Sequence, residues 1–83
     1  MHMFYYTYIL QSQKSGMLYT GYTHDLRKRF KEHNEGKSEY TKGRGPYRLI
    51  YYEACLNEQD AKARELYLKG GKGKHYLKSR LKR

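Results

Sequence analysis

Residues 4 to 10, Phe-Tyr-Tyr-Thr-Tyr-Ile-Leu, are aromatic and β-branched almost without interruption. Such side chains lose freedom in a helix and pack well on a pleated surface, so this run commits the chain to a strand. Gln11 to Gly16 is polar and ends in glycine, which suits a loop, and Met17 to Tyr22 supplies a second strand. Strands joined by so short a segment form an antiparallel hairpin. Taking Gln11 to Gly16 as its loop sets Leu10 opposite Met17, Tyr8 opposite Tyr19 and Tyr6 opposite Gly21. Two phenols, Tyr8 and Tyr19, then share a face. The missing side chain of Gly21 leaves room on that face for backbone or substrate to approach.

Thr23 stands where the N-cap of a helix belongs, with Asp25 in the first turn near the positive end of the helix dipole. This helix is expected to run to about Asn34 with Leu26, Phe30 and His33 along its inner stripe, and Gly36 supplies the stop. Lys37 to Pro46 reads as an exposed basic loop, and Tyr47 to Ala54 as a third strand. Asn57 caps a second helix over Glu58 to Lys69; Gly70-Gly71-Lys72-Gly73 breaks it, and a short basic helix follows from Lys74 to Leu81. The expected fold is α+β: a small three-stranded sheet, antiparallel or mixed, flanked by helices in the order ββαβαα. A chain of 83 residues has room for one core, so residues 1–83 are read as a single domain.

Lys and Arg number 18 against 8 Asp and Glu, a net charge of +10 that fold stability does not require and self-repulsion opposes. An anionic partner follows. Nucleic acid fits better than a membrane, because the apolar residues are dispersed and no run approaches the roughly 18 residues of a spanning helix. Met1-His2-Met3-Phe4-Tyr5-Tyr6 lacks the basic and apolar regions of a secretory leader, which points to a soluble cytoplasmic protein. The lone Cys55 has no partner for an intramolecular disulfide and no Cys or His at ligand spacing, so it reads as a small buried hydrophobe.

The basic residues gather in two stretches, eight from Arg27 to Arg48 and nine from Lys62 to Arg83, with Tyr40, Tyr47, Tyr67 and Tyr76 interleaved. Lysine and arginine grip phosphate in a salt-dependent way, and an exposed tyrosine can stack on an unpaired base. Lys42, Arg44 and Arg48 in the first stretch, and Lys72 and Lys74 in the second, are the expected nucleic-acid contacts. No zinc-finger or recognition-helix pattern is present, so weak sequence preference is expected.

Arg29 and His33 lie four apart and project from one side of their helix beside the Leu26 and Phe30 stripe. Arg29 can reach a phosphate from there, although Arg27-Lys28-Arg29 and Lys31 are equally an ordinary solvated face. Glu65 shares a stripe with Ala61 and Leu68 and is the only acidic residue from Ala61 to Arg83. A carboxylate on an otherwise apolar face needs a partner. It is either a hard oxygen ligand for Mg²⁺ beside a phosphate-binding surface or one half of an ion pair with Lys69 or Lys62. In a chain of 11 tyrosines, Tyr8 and Tyr19 taken alone are as readily packing residues as chemical ones.

Taken in order, Tyr6-Thr7-Tyr8, Tyr19-Thr20-Gly21, Thr23-His24-Asp25-Leu26 with Arg29 and His33, and then Glu65 form a pattern that resembles the GIY-YIG nuclease domain. The likeness spans nearly the whole chain and is nearest to small stand-alone bacterial proteins related to the N-terminal nuclease domain found in excinuclease ABC. Each motif is short, and their order and spacing together carry the specificity. The resemblance implies that Tyr8 and Tyr19 are site tyrosines, that Arg29 and His33 are the basic pair of the following helix, and that Glu65 holds a single divalent metal, Mg²⁺ or Mn²⁺. It also implies a three-stranded sheet flanked by helices. Two positions depart from the pattern: the first triplet is Tyr-Thr-Tyr, which keeps its last phenol, and no asparagine follows Glu65 where many active members carry one.

On this likeness the expected function is metal-dependent hydrolysis of nucleic-acid phosphodiester bonds, in DNA of particular structure, during repair or recombination. Glu65 would position the cation that acidifies a water, and Arg29 would hold the charge of the pentavalent phosphate. Tyr8 or Tyr19 would take a proton once neighbouring cations lower a phenol whose ordinary pKa is about 10. The alternative is a non-catalytic nucleic-acid-binding module that keeps the fold and its basic surface; a structural protein of ribosomal RNA is a third reading. So small a domain offers little recognition surface, and a protein partner that supplies specificity is expected beside structure selectivity.

Overall fold

The computed structural model describes residues 3–81; Met1 and His2 of the leader-free start, and Lys82 and Arg83 of the second basic stretch, lie outside the described residues. Six elements follow one another in the expected order: β1 (Tyr5–Ser12), β2 (Leu18–Thr23), α1 (Leu26–Asn34), β3 (Tyr47–Cys55), α2 (Glu58–Lys69) and α3 (Gly71–Leu81). The sheet order is β2-β1-β3, with both pairings antiparallel, so the mixed alternative falls away. β1 is the central strand, and its residues from Thr7 to Leu10 are all buried. That is why its sequence is hydrophobic on both faces and shows no alternation.

The hairpin register lies two residues further along than the loop assignment predicts. Tyr8 faces Gly21 and Leu10 faces Tyr19, because β1 continues to Ser12 and β2 begins only at Leu18. Ser12 makes the tighter turn possible. Its N–H donates to the Met17 carbonyl at 2.9 Å, while its hydroxyl accepts from the Lys14 and Ser15 N–H groups and donates to the Arg44 carbonyl at 2.7 Å. A shift of two leaves every side chain on its own face, so Tyr8 and Tyr19 still share one. At the other edge Ile9 pairs with Tyr51 but Leu10 pairs with Leu49, which makes Ile50 the extra residue of a bulge. Ile50 and Tyr51, neighbours in sequence, consequently pack against the same cluster.

Helices cover both faces. On one, Leu26 and Phe30 of α1 pack against Tyr8, Leu10 and Tyr47. On the other, Ile9 meets Leu68 of α2 and Leu77 of α3. Each such fully buried aliphatic side chain contributes on the order of 2 kcal/mol. Thr7 ties α2 to the sheet by donating from its buried hydroxyl to the Ala61 carbonyl at 3.0 Å.

Three local expectations need correction. The N-cap of α1 is Asp25, whose carboxylate accepts from the Lys28 N–H at 3.1 Å; Thr23 acts one turn earlier, accepting from the Asp25 N–H at 3.1 Å. Only Gly70 separates α2 from α3, and Gly71, Lys72 and Gly73 are already helical. Cys55 is half-buried at the end of β3, its thiol donating to the Asn57 carbonyl at 3.2 Å. Other signals hold: Asn57 caps α2 through the Gln59 and Asp60 N–H groups, and Gly36 takes a left-handed φ of 75° just past α1. No helix among the described residues is long and apolar enough to cross a membrane.

Candidate active site

Tyr8, Tyr19, Arg29 and His33 converge where α1 crosses β1 and β2. The Tyr8 hydroxyl lies 2.8 Å from His33 Nε2, and the Tyr19 ring centroid is 4.9 Å from the imidazole and 6.4 Å from the Tyr8 ring. One turn of α1 separates Arg29 from His33, and the docked Leu26–Phe30 stripe sets the rotation that points both at the phenols. Arg29 Nη1 donates to Glu32 Oε1 at 3.1 Å, and the guanidinium also bonds the Tyr8 oxygen. The second imidazole nitrogen, Nδ1, lies 2.7 Å from the Thr41 hydroxyl. Tyr8, His33 and Thr41 are each only 1% exposed.

The direction of this chain follows from what each group can do. Arginine only donates, so the Tyr8 oxygen accepts from Arg29 and must send its own proton to His33 Nε2. His33 is then the tautomer that carries its proton on Nδ1 and donates to Thr41. Burial pushes the Tyr8 phenol up to about 12, and Tyr19 and Glu65 add to the rise; Arg29 pulls the other way and is outweighed. This reverses the expectation that neighbouring cations leave the phenol acidified. Burial also pulls His33 down to about 4, with the Arg29 charge helping and Glu32 opposing. At neutral pH both rings are uncharged.

The depressed His33 value makes folding pH-dependent. The unfolded chain binds this proton near 6.5 and the fold only near 4, so the contribution to stability is complete above about 6.5 and is lost as pH falls toward 4. The loss is on the order of 3 kcal/mol. Urea unfolding near pH 7 and near pH 4 is expected to show a weaker pH dependence in His33→Asn than in the wild type. Equal dependence would assign the effect to other groups.

Gly21 lies directly across from Tyr8, and a Cβ there would sit 2.6 Å from the Tyr8 oxygen and 2.7 Å from Cζ. The phenol therefore rests over the glycine. Gly21→Ala is expected to cost about 1–3 kcal/mol by overpacking and to push Tyr8 off His33. In protein labelled with ¹⁵N-histidine, the His33 ring shifts read this directly; shifts that match the wild type would show the bond intact.

A family model described as the GIY-YIG catalytic domain matches residues 4–79. The chain belongs to the GIY-YIG family. A UPF0213 protein of Clostridium perfringens is 49% identical over 65 residues, 77% of this chain and 69% of its own. A UPF0213 protein of Haloquadratum walsbyi is 39% identical over 70 residues, 83% of this chain and 78% of its own. The solution NMR structure of a UPF0213 protein from Bacillus halodurans matches with a TM-score of 0.57 at 40% identity, over 93% of this chain and 84% of that one. The ββαβαα fold and the family likeness read from the motifs both hold, and membership indicates a domain of nuclease type.

In this GIY-YIG domain Glu65 projects from α2 with 17% of its side chain exposed, and its Oε2 pairs with Lys69 Nζ at 3.1 Å. Lys62, the other expected partner, lies instead over the Tyr22 ring at 5.9 Å. The Glu65 charge is near enough to Tyr8 to raise its pKa. No group of three or more His, Cys, Asp or Glu gathers as a metal site among the described residues. A hydrated Mg²⁺ needs only one or two protein carboxylates when substrate phosphate completes its shell. A single hard oxygen donor beside the phenol fits that requirement, with the ion displacing Lys69.

The five basic residues expected to contact nucleic acid do not come together. Lys42 and Arg44 are exposed on the segment that brings Thr41 to His33. Arg48 is exposed on β3 opposite Gln11, whereas Lys72 and Lys74 belong to α3 on the far layer. Thr41 had no signal, since one threonine in a polar glycine-bearing stretch breaks no pattern. Tyr40, already visible among the interleaved tyrosines, stacks on Tyr19 at 6.5 Å and 28° with 73% of its surface exposed.

Proposed function

We propose that this GIY-YIG domain, with residues 1–83 as one unit, is a metal-dependent endonuclease that hydrolyses phosphodiester bonds in DNA. It selects substrates by structure, acts in repair or recombination in the cytoplasm, and takes further specificity from a protein partner. The observation that carries this reading is the bonded chain Arg29–Tyr8–His33–Thr41, with Tyr19 against it and Glu65 nearby. A purely structural core would fill that volume with apolar side chains. Buried polar groups with displaced pKa values instead mark functional positions, which favours the enzyme over the non-catalytic module.

In this scheme Arg29, held by Glu32, stabilises the charge that develops on the phosphate. Tyr8 orients the attacking water and can release its proton only toward neutral His33, whose tautomer Thr41 maintains. Tyr19 closes the imidazole off from solvent. Glu65 would hold Mg²⁺ or Mn²⁺, which when bound supplies charge that acidifies a water and the nearby phenol and stabilises the leaving oxygen.

The test is cleavage of labelled single-stranded, duplex, flap and branched DNA with either metal, comparing wild type with Glu65→Ala. Cutting that disappears in the variant while DNA binding persists is the expected result. Salt-sensitive binding without cutting on every substrate would favour the binding module. A fully active variant would remove Glu65 from the chemistry.

A further inference from the structure

The opposite flank of α1 carries an aromatic cleft that the proposed chemistry leaves unused. Arg29 and His33 turn toward Tyr8 and Tyr19, whereas Arg27 and Phe30 border the β1–β3 side. There a cleft of about 460 Å³ opens between the N-terminal half of α1 and the sheet, walled by Tyr6, Tyr52, Leu49, Phe30, His24 and Arg27. Tyr52 pairs with Tyr8 across β1 and β3 and is 54% exposed. Its ring meets Tyr6 edge-on at 5.9 Å, and Phe4, 44% exposed, extends the row at 6.4 Å.

Three aromatic rings in file at the surface form an apolar platform that the fold itself does not cover. Arg27 on its rim has no carboxylate partner among the described residues, unlike Arg29 with Glu32 and Arg64 with Glu53. Asp25, the acidic group of the cleft, is engaged by the Lys28 N–H. The platform thus presents π-faces beside one uncompensated guanidinium.

We propose that this cleft is a stacking subsite for an unpaired nucleobase of a nucleic-acid strand, with the base on Tyr52 and Tyr6 and its phosphate on Arg27. Every base has a π-face, so the platform accepts single strand of any sequence, while a duplex keeps its bases within its own stack. The cleft and the Tyr8 site flank one helix and are separated by about its diameter, roughly 10 Å. A strand attacked at Tyr8 therefore places a neighbouring unpaired nucleotide in the cleft, the arrangement that a flap or junction offers. The subsite rests on the nucleic-acid reading above and adds the substrate class, DNA with an unpaired nucleotide close to the cut.

The experiment is fluorescence anisotropy of the full chain at fixed ionic strength, with a fluorescein-labelled oligothymidylate and a labelled blunt duplex as probes. Tyr52→Ala is expected to weaken oligothymidylate binding at least about fivefold while duplex affinity stays within about twofold, and Tyr52→Phe keeps wild-type affinity because the ring remains. Thermal melts of both variants check the fold. Arg27→Gln, at an exposed helix position, gives an independent reading: the salt slope for oligothymidylate falls by about 0.7. Unchanged oligothymidylate affinity in Tyr52→Ala, an equal loss on both probes, or an unchanged slope in Arg27→Gln overturns the subsite and leaves the nuclease reading standing. Failure of the wild type to bind either probe overturns both.

Discussion

Gly73→Ala is expected to undock α3 and to remove about 4 kcal/mol or more of stability. An added Cβ at Gly73 would fall on the Tyr67 carbonyl oxygen and Leu68 Cα, and only 2.7 Å from the Tyr67 carbonyl carbon. These are backbone atoms of the last turn of α2, and they cannot swing aside as a side chain would. The two helices must separate instead, which uncovers Leu68 and Leu77, now 1% and 3% exposed, and with them Ile9. A small domain has a net stability of only about 5–15 kcal/mol, so the loss is a large share of the whole. Urea midpoints followed by circular dichroism measure it. Gly71 is the internal control: it is helical too, but a Cβ there meets nothing within 4 Å. Gly71→Ala is expected to be neutral or to stabilise by about 0.5–1 kcal/mol. Similar midpoints for the two variants would show that the helix–helix approach at Gly73 is not limiting.

Arg29→Ala is expected to lower kcat for phosphodiester cleavage by about 10²- to 10³-fold with the fold intact. The guanidinium is the one cation bonded to Tyr8 among the described residues, and Glu32 fixes its direction. Its removal also has an electrostatic signature that a loss of packing alone would not produce. Arg29 helps to hold His33 down near 4, so without it the imidazole titrates at higher pH; the Tyr8 phenol, no longer pulled down, rises further. An NMR titration of His33 in the variant tests this. Arg29→Lys keeps the charge without the planar fork and is expected to restore the His33 value more fully than the rate. Wild-type cleavage by Arg29→Ala would exclude the arginine from the reaction, and an unmoved His33 would exclude the coupling.

Much of this protein was legible one segment at a time. The aromatic and β-branched run from Phe4, the Leu26–Phe30–His33 stripe, Asn57 ahead of a helical period and Gly36 after one are local signals, and each element appeared where its signal lay. The order and spacing of Tyr8, Tyr19, Arg29, His33 and Glu65 carried the family likeness without any coordinates. Periods of two and 3.6 residues survive in a linear string because they record which face of an element is turned inward.

Distant approach leaves no such record. The hairpin register turned on Ser12 bonding residues on both sides of the turn and the Arg44 carbonyl, and a shift by two is invisible to a pattern of period two. Gly73 looked like a helix breaker and is a contact point between helices. Thr41 meets His33 only because an irregular segment folds back over α1. The same reason governs the chemistry. Composition shows that cations and phenols are present, but whether a phenol is acidified or made more basic depends on how much water its neighbours remove. That burial exists only once α1 has closed over the sheet.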